Sequence, residues 1–261
     1  MGRHSRTLIY AMRQVIFLIA MIVSTLARAD LTFHVKEYLL NVAVDIHVQG
    51  EIVEKDSKEL DSGLAAARQF AIARRKSIAS PHFVLNSQGG DVAAGATIGR
   101  WARAKEASAE VENECSSACV LILAGAVIRR GKTGGKIGIH RIYFSSLHPA
   151  TTYRQVREKM AGVDQFLATY LREMDVPVAL IEEMKSVPPD RVRYLSSLEL
   201  QRYRLLGTDP AYQEQSDTQT AARYGLSRQE YYRRNSRADT VCKQGSFLDL
   251  DCWESVITGK K

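Results

Sequence analysis

From Val42 onward, short apolar runs alternate with longer stretches of helical periodicity, and that alternation leaves few folds open. Val42, Val44, Ile46 and Val48 interleave with Ala43, Asp45, His47 and Gln49, which predicts a half-buried strand closing at Gly50. Residues 55–75 carry Leu60, Leu64, Ala67 and Ile72 at helical spacing. A short run at 82–86 then precedes a glycine pair and a helix over about 92–105. A third strand near 109–112 leads through a cysteine segment into an apolar helix reaching about Ile128. Gly134-Gly135 marks a turn before a fourth strand at 137–139. Residues 151–173 and 178–185 read as helices, the second ended by Pro188-Pro189. This order predicts an α/β domain with a mostly parallel sheet. No repeat of fixed period is present. Beyond Gly207 the texture changes: 208–241 are polar, lack a clean apolar stripe, and read as a helix-rich appendage.

Residues 1–29 form a leader. Arg3, Arg6 and Arg13 precede an apolar run from Val15 to Leu26, followed by Ala27-Arg28-Ala29. A basic start, an apolar stretch of about a dozen residues and an A-x-A site describe a signal peptide cleaved after Ala29. An uncleaved anchor is the alternative, but the run is short for a span of about 30 Å. The leader also explains the charge. The formal net charge is +7, and four of the 36 basic residues lie before Asp30 with no acid among them. The remaining 32 against 29 acids carry no nucleic-acid signal. In an exported chain, Cys115, Cys119, Cys242 and Cys252 point to disulfides, and three pairings exist. Local pairing closes the shortest loops. A zinc site is disfavoured, because C-x3-C and C-x9-C lack the usual knuckle spacing.

Three segments carry chemistry. Asn86-Ser87-Gln88-Gly89-Gly90-Asp91 joins a strand to a helix, and adjacent glycines there expose backbone N–H groups. By itself it reads as a turn with Asp91 as N-cap. Cys115-Ser116-Ser117-Ala118-Cys119 opens an apolar helix, where a serine Oγ and the next amide can face one substrate carbonyl. A serine N-cap is the plainer account. Ile139-His140 ends a strand, and a histidine there is either a general base or a structural side chain.

In this order, the three segments resemble the Clp protease proteolytic-subunit family of the ClpP/crotonase superfamily. The matching pieces are Asn86 to Gly90, the serine-led helix ending in Ala124-Gly125-Ala126, Ile139-His140, and Ile46-His47-Val48-Gln49-Gly50 before them. Cys-x-Ser-Ala-Cys followed by Ile-Gly-Ile-His is similar to exported, ClpP-like bacterial proteins. The resemblance covers about residues 40–207 and implies a βα spiral with a mostly parallel sheet. It implies Ser117 as nucleophile, His140 as base, Asp190 as triad acid, and a substrate and oxyanion pocket at Gly89, Gly90 and Ala118. Three points depart from the pattern or stay open. Gln88 stands where the family has proline, Ser116 competes with Ser117, and the register around Asp190 admits short insertions. The implied protein is a periplasmic, ATP-independent serine peptidase without cofactor or metal. It would act on extended peptides or unfolded protein as a homo-oligomer, with no nucleic acid and no membrane span after signal cleavage. A catalytically inactive scaffold of the same fold is the alternative, and crotonase-type thioester chemistry ranks last.

Overall fold

The structure, a computed structural model, describes residues 30–144, 148–244 and 247–260. The leader and its cleavage site lie outside them. The chain runs β1 (Asp30–Glu37), β2 (Asn41–Ile52), α1 (Glu54–Ala73), β3 (Ser77–Ile78), β4 (His82–Gly90), α2 (Val92–Ala104), β5 (Ser108–Ser116) and α3 (Ala118–Gly125). It continues with β6 (Ile128–Gly131), β7 (Lys136–Ile139), α4 (Tyr153–Glu173), α5 (Leu180–Ser186), β8 (Arg193–Tyr194), α6 (Ser197–Arg202) and β9 (Gly207–Thr208). Then follow α7 (Pro210–Arg223), α8 (Arg228–Val241), a small hairpin of β10 (Lys243–Gln244) and β11 (Phe247–Leu248), and α9 (Leu250–Ile257).

The main sheet orders as β1-β2-β4-β5-β6-β9, with β3 beside β2 and β7 bridging β5 to β8. Pairs among β2, β3, β4, β5, β6 and β7 are parallel, while β1, β8 and β9 add antiparallel edges. The expected mostly parallel α/β architecture is therefore present. One face of the sheet makes the core: Val44, Ile46 and Val48 of β2, Phe83 and Leu85 of β4, and Ala109 and Val111 of β5 pack with Leu60, Ala67, Ile98 and Ile122 from the helices. Helix α1 lies on that face because Leu60, Leu64, Ala67 and Ala71 recur at three- and four-residue spacing. Among the described residues, seven short or edge strands were not expected from the sequence: β1, β3, β6, β8, β9, β10 and β11. β1 pairs with β2 across its whole length, and β6 starts at Ile128, where the apolar helix was expected to end. The helix stops at Gly125 because Ala126 turns to extended backbone, and the run Val127-Ile128 enters the sheet instead.

The polar segment after Gly207 is helical, as expected, with small apolar clusters of its own around Ala221, Tyr231 and Ile257 and around Ala238, Cys242 and Val256. Its start is held by charge. Asp209 caps α7 through the Tyr212 amide and accepts from Arg103 at 2.7 Å, and the buried Arg129 lies 3.4 Å away. Arg129 also donates to the carbonyls of Ala124, Ala126, Met174 and Arg204. Burial lowers its pKa to about 10, which leaves it cationic at neutral pH. Both disulfides form locally, Cys115–Cys119 and Cys242–Cys252, and no free cysteine remains among the described residues. Such pairs fit an oxidising compartment. Among the described residues, no helix is long and apolar enough to cross a membrane.

Candidate active site

The sequence around the serines is small on one side and apolar on the other, and the backbone uses both properties. β5 ends at Ser116, α3 begins at Ala118, and Ser117 makes the turn between them at φ 55° and ψ −123°. Among the described residues, positive φ occurs at four other non-glycine positions, Arg75, Glu106, Asp175 and Arg204. Each of those follows a helix end, where left-handed backbone is ordinary. Ser117 instead opens a helix, in a region that disfavours any residue with a Cβ. Its amide donates to the Gly138 carbonyl at 3.0 Å, and the Cys115–Cys119 bridge spans the turn. The cysteines can pair because Cys115 lies on the strand and Cys119 on the helix. In a regular helix that spacing holds Cβ atoms about 5–6 Å apart, too far for the bond.

The helix that follows is buried along its whole length, so the turn cannot drift. Gly95 and Gly99 of α2 face the α3 backbone at Ala118 and Leu121, and Tyr170 donates its hydroxyl to the Leu121 carbonyl. Facing Ser117 is the glycine turn of β4. A Cβ on Gly89 would stand 2.6 Å from the Ser117 Cβ and 3.0 Å from the Ala118 nitrogen, so only glycine fits there. Gly89 also has φ +106°, and its amide donates to Ser87 Oγ at 3.0 Å. Gly90, at φ +142°, abuts the Ile52 backbone. Asp91 caps α2 by accepting from the Ala94 amide at 2.7 Å.

The two serines differ sharply. Ser116 is fully buried, and its Oγ donates to Glu114 at 2.7 Å under Gly138. Ser117 is half-buried at the turn. His140 follows β7, which runs parallel to β5 with Ser116 opposite Gly138, so serine and histidine leave the same end of adjacent strands. The ring is half-buried, and its Nδ1 sits 2.9 Å from the Arg141 carbonyl. Among the described residues, no hydrogen bond joins the Ser117 hydroxyl to that ring. Asp190 lies in an exposed turn closed by the Arg191 amide on the Pro188 carbonyl, and it makes no hydrogen bond to His140. The structure thus brings Ser117, Gly89, Ala118 and His140 to one sheet edge and leaves Asp190 outside hydrogen-bond reach of the ring.

One neighbour was not anticipated. Glu114 accepts from Tyr194 at 3.1 Å as well as from Ser116, which ties β8 to β5 beneath the turn. Burial, and then this bond, push the Tyr194 hydroxyl pKa up. Strand alternation places Glu114 on the face of Ser116, but the partner on β8 comes from residues far along the chain. No group of three or more potential metal ligands occurs among the described residues.

No protein-family model and no curated protein matches the chain. Among solved structures, it is similar to a mutant ClpP1 from Listeria monocytogenes. The two share 18% identity over 62% of this chain and 88% of that one, with a TM-score of 0.45. The chemistry of the site follows from its own geometry.

Proposed function

We propose that this chain is an ATP-independent serine hydrolase of the cell envelope that cleaves extended peptides. One observation carries the reading: a serine held at positive φ where a strand turns into a buried helix, clamped by a disulfide and faced by a glycine turn. Such a turn exposes Oγ while the first amides of the helix point the same way. Ser117 Oγ attacks the peptide carbonyl carbon and His140 Nε2 takes its proton. The developing oxyanion lies against the amides of Ala118 and Gly90, at the positive end of α3. Collapse expels the amine with the proton from His140, and water then releases the acyl group by the same route. A carbonyl only accepts, so the Arg141 contact puts the ring proton on Nδ1 and leaves Nε2 with its lone pair. Asp190 is the proposed acid, reaching the imidazole when the 188–191 turn closes on substrate. Peptide would add as a strand beside the glycine end of β4.

This reading includes the ClpP/crotonase spiral, with a signal peptide at 1–29, a ClpP-like domain at 30–207 and a C-terminal extension at 208–261. Self-association is part of it. A scaffold that has lost turnover is the second reading, favoured by the exposed Asp190 and the Arg141 contact of His140. A fluorophosphonate probe separates them. Covalent labelling at Ser117, abolished in His140→Ala, slowed in Asp190→Asn and retained in Ser116→Ala, supports the hydrolase. Folded, oxidised protein that neither labels nor cleaves peptides supports the scaffold.

A further inference from the structure

The tip of the β1–β2 hairpin is built in a way the catalytic reading does not use. Tyr38, Leu39 and Leu40 are 54%, 88% and 78% exposed, and Ile72 near the end of α1 is 66% exposed. A disordered loop would leave such side chains free to fold back, but this tip is braced. The Tyr38 amide donates to the Asn41 carbonyl at 2.9 Å, Lys76 Nζ donates to the Tyr38 carbonyl at 2.5 Å, and Ser77 Oγ donates to the Leu40 carbonyl at 3.4 Å. Glu37, the acid at the end of β1, is neutralised by Arg74 at 3.0 Å and Lys76 at 2.8 Å. The apolar side chains therefore project outward while main-chain carbonyls beneath them already have donors, which lowers the cost of leaving water. The neighbouring segment 68–76 holds Arg68, Arg74, Arg75 and Lys76 and no acid. Arg74 lies 3.4 Å over the Phe70 ring.

We propose that this tip docks the protein on an anionic lipid surface, with Tyr38, Leu39 and Leu40 entering the headgroup region and Arg68 and Arg75 resting on lipid phosphates. An apolar wedge collared by arginine and lysine matches such an interface in both charge and hydrophobicity. A protein partner fits less well. Three side chains on a protruding turn bury far less than the roughly 1,200 Å² of a stable protein interface, whereas lipid needs no complementary shape.

The test uses the full chain carrying Tyr38→Trp, with vesicles of phosphatidylglycerol and phosphatidylcholine or of phosphatidylcholine alone. Because the reporter sits on the tip, tethering through the leader does not produce the signal. The added indole fluorescence is expected to shift blue and to be quenched by brominated acyl chains on the anionic vesicles, above the response of the parent chain. Adding Leu39→Asp and Leu40→Asp should abolish this quenching, and Arg68→Glu with Arg75→Glu should lower the bound fraction about tenfold, as would added salt. Two results overturn the proposal: an indole unshifted and unquenched on anionic vesicles, or self-association removed by the aspartates with no lipid response, which would make a second copy the occupant.

Discussion

Ser117 occupies a backbone region that costs a residue with a Cβ about 1–3 kcal/mol, and the fold around it supplies the constraint. Ser117→Gly should therefore abolish probe labelling while raising stability by about 1 kcal/mol, read by urea denaturation. A serine with only a capping role would show no such split. Gly89→Ala places a methyl against the Ser117 Cβ and the Ala118 amide, and should lower the labelling rate by about 10²-fold or more while the far-ultraviolet spectrum is retained. The two disulfides should separate in the same manner. Their sequence separations are 4 and 10, so loop entropy assigns them about 2 and about 3 kcal/mol respectively. Replacing Cys115 and Cys119 by alanine should slow labelling strongly at modest cost in stability. Replacing Cys242 and Cys252 should do the reverse, and denaturant melts beside labelling rates decide it. At this scale the serine, glycine and cysteine positions were readable because their small size and spacing are local properties. The resemblance put Ser117 ahead of a competing Ser116, but their unequal burial was not readable, since it depends on Glu114 and Gly138 holding Ser116 in the interior.

Among the elements, the junction of β6, β9 and α7 carries a concentrated charge that apolar patterning does not reveal. Burial alone would raise the Asp209 carboxyl pKa, but the Arg103 bond, the Tyr212 amide and the Arg129 charge hold it below the ordinary carboxylate value. Asp209→Ala leaves Arg129 buried without its counter-charge and removes the α7 cap. The loss should approach 3–5 kcal/mol, moderated by the four carbonyls that Arg129 keeps. The sign of the pH effect follows from the depressed pKa. The Asp209 contribution is fully present above its unfolded value near 4, and is lost as pH falls through the lower folded value. Denaturation midpoints from pH 6 downward should therefore converge between the parent and Asp209→Asn. Strands β2 and β4 and helices α1 and α2 were legible here because their periodicity is uninterrupted. β6 was not, because Val127 and Ile128 continue the apolar run of α3, and only the pairing of β6 with β5 ends the helix.

For the whole molecule, the proposed export fixes where the chain should begin. If the proposed signal peptide is cleaved, mass spectrometry of the mature protein should find an N-terminus at Asp30, and a mature chain retaining Met1 would make the leader an anchor. The alternation of strand and helix patterns already determined a mostly parallel α/β sheet, and the spacing of the four cysteines already pointed to local pairs, since both follow from spacing along the chain. Tertiary structure alone decided which side chains share a space. Parallel pairing of β5 with β7 brings Ser117 and His140 to one edge, and the return of β8 antiparallel to β7 leaves Asp190 in an exposed turn. Antiparallel closure of β1 on β2 sets Tyr38, Leu39 and Leu40 on a braced tip. Periodicity is a property of neighbours in sequence, whereas these contacts join residues tens of positions apart, and only the packed sheet specifies their approach.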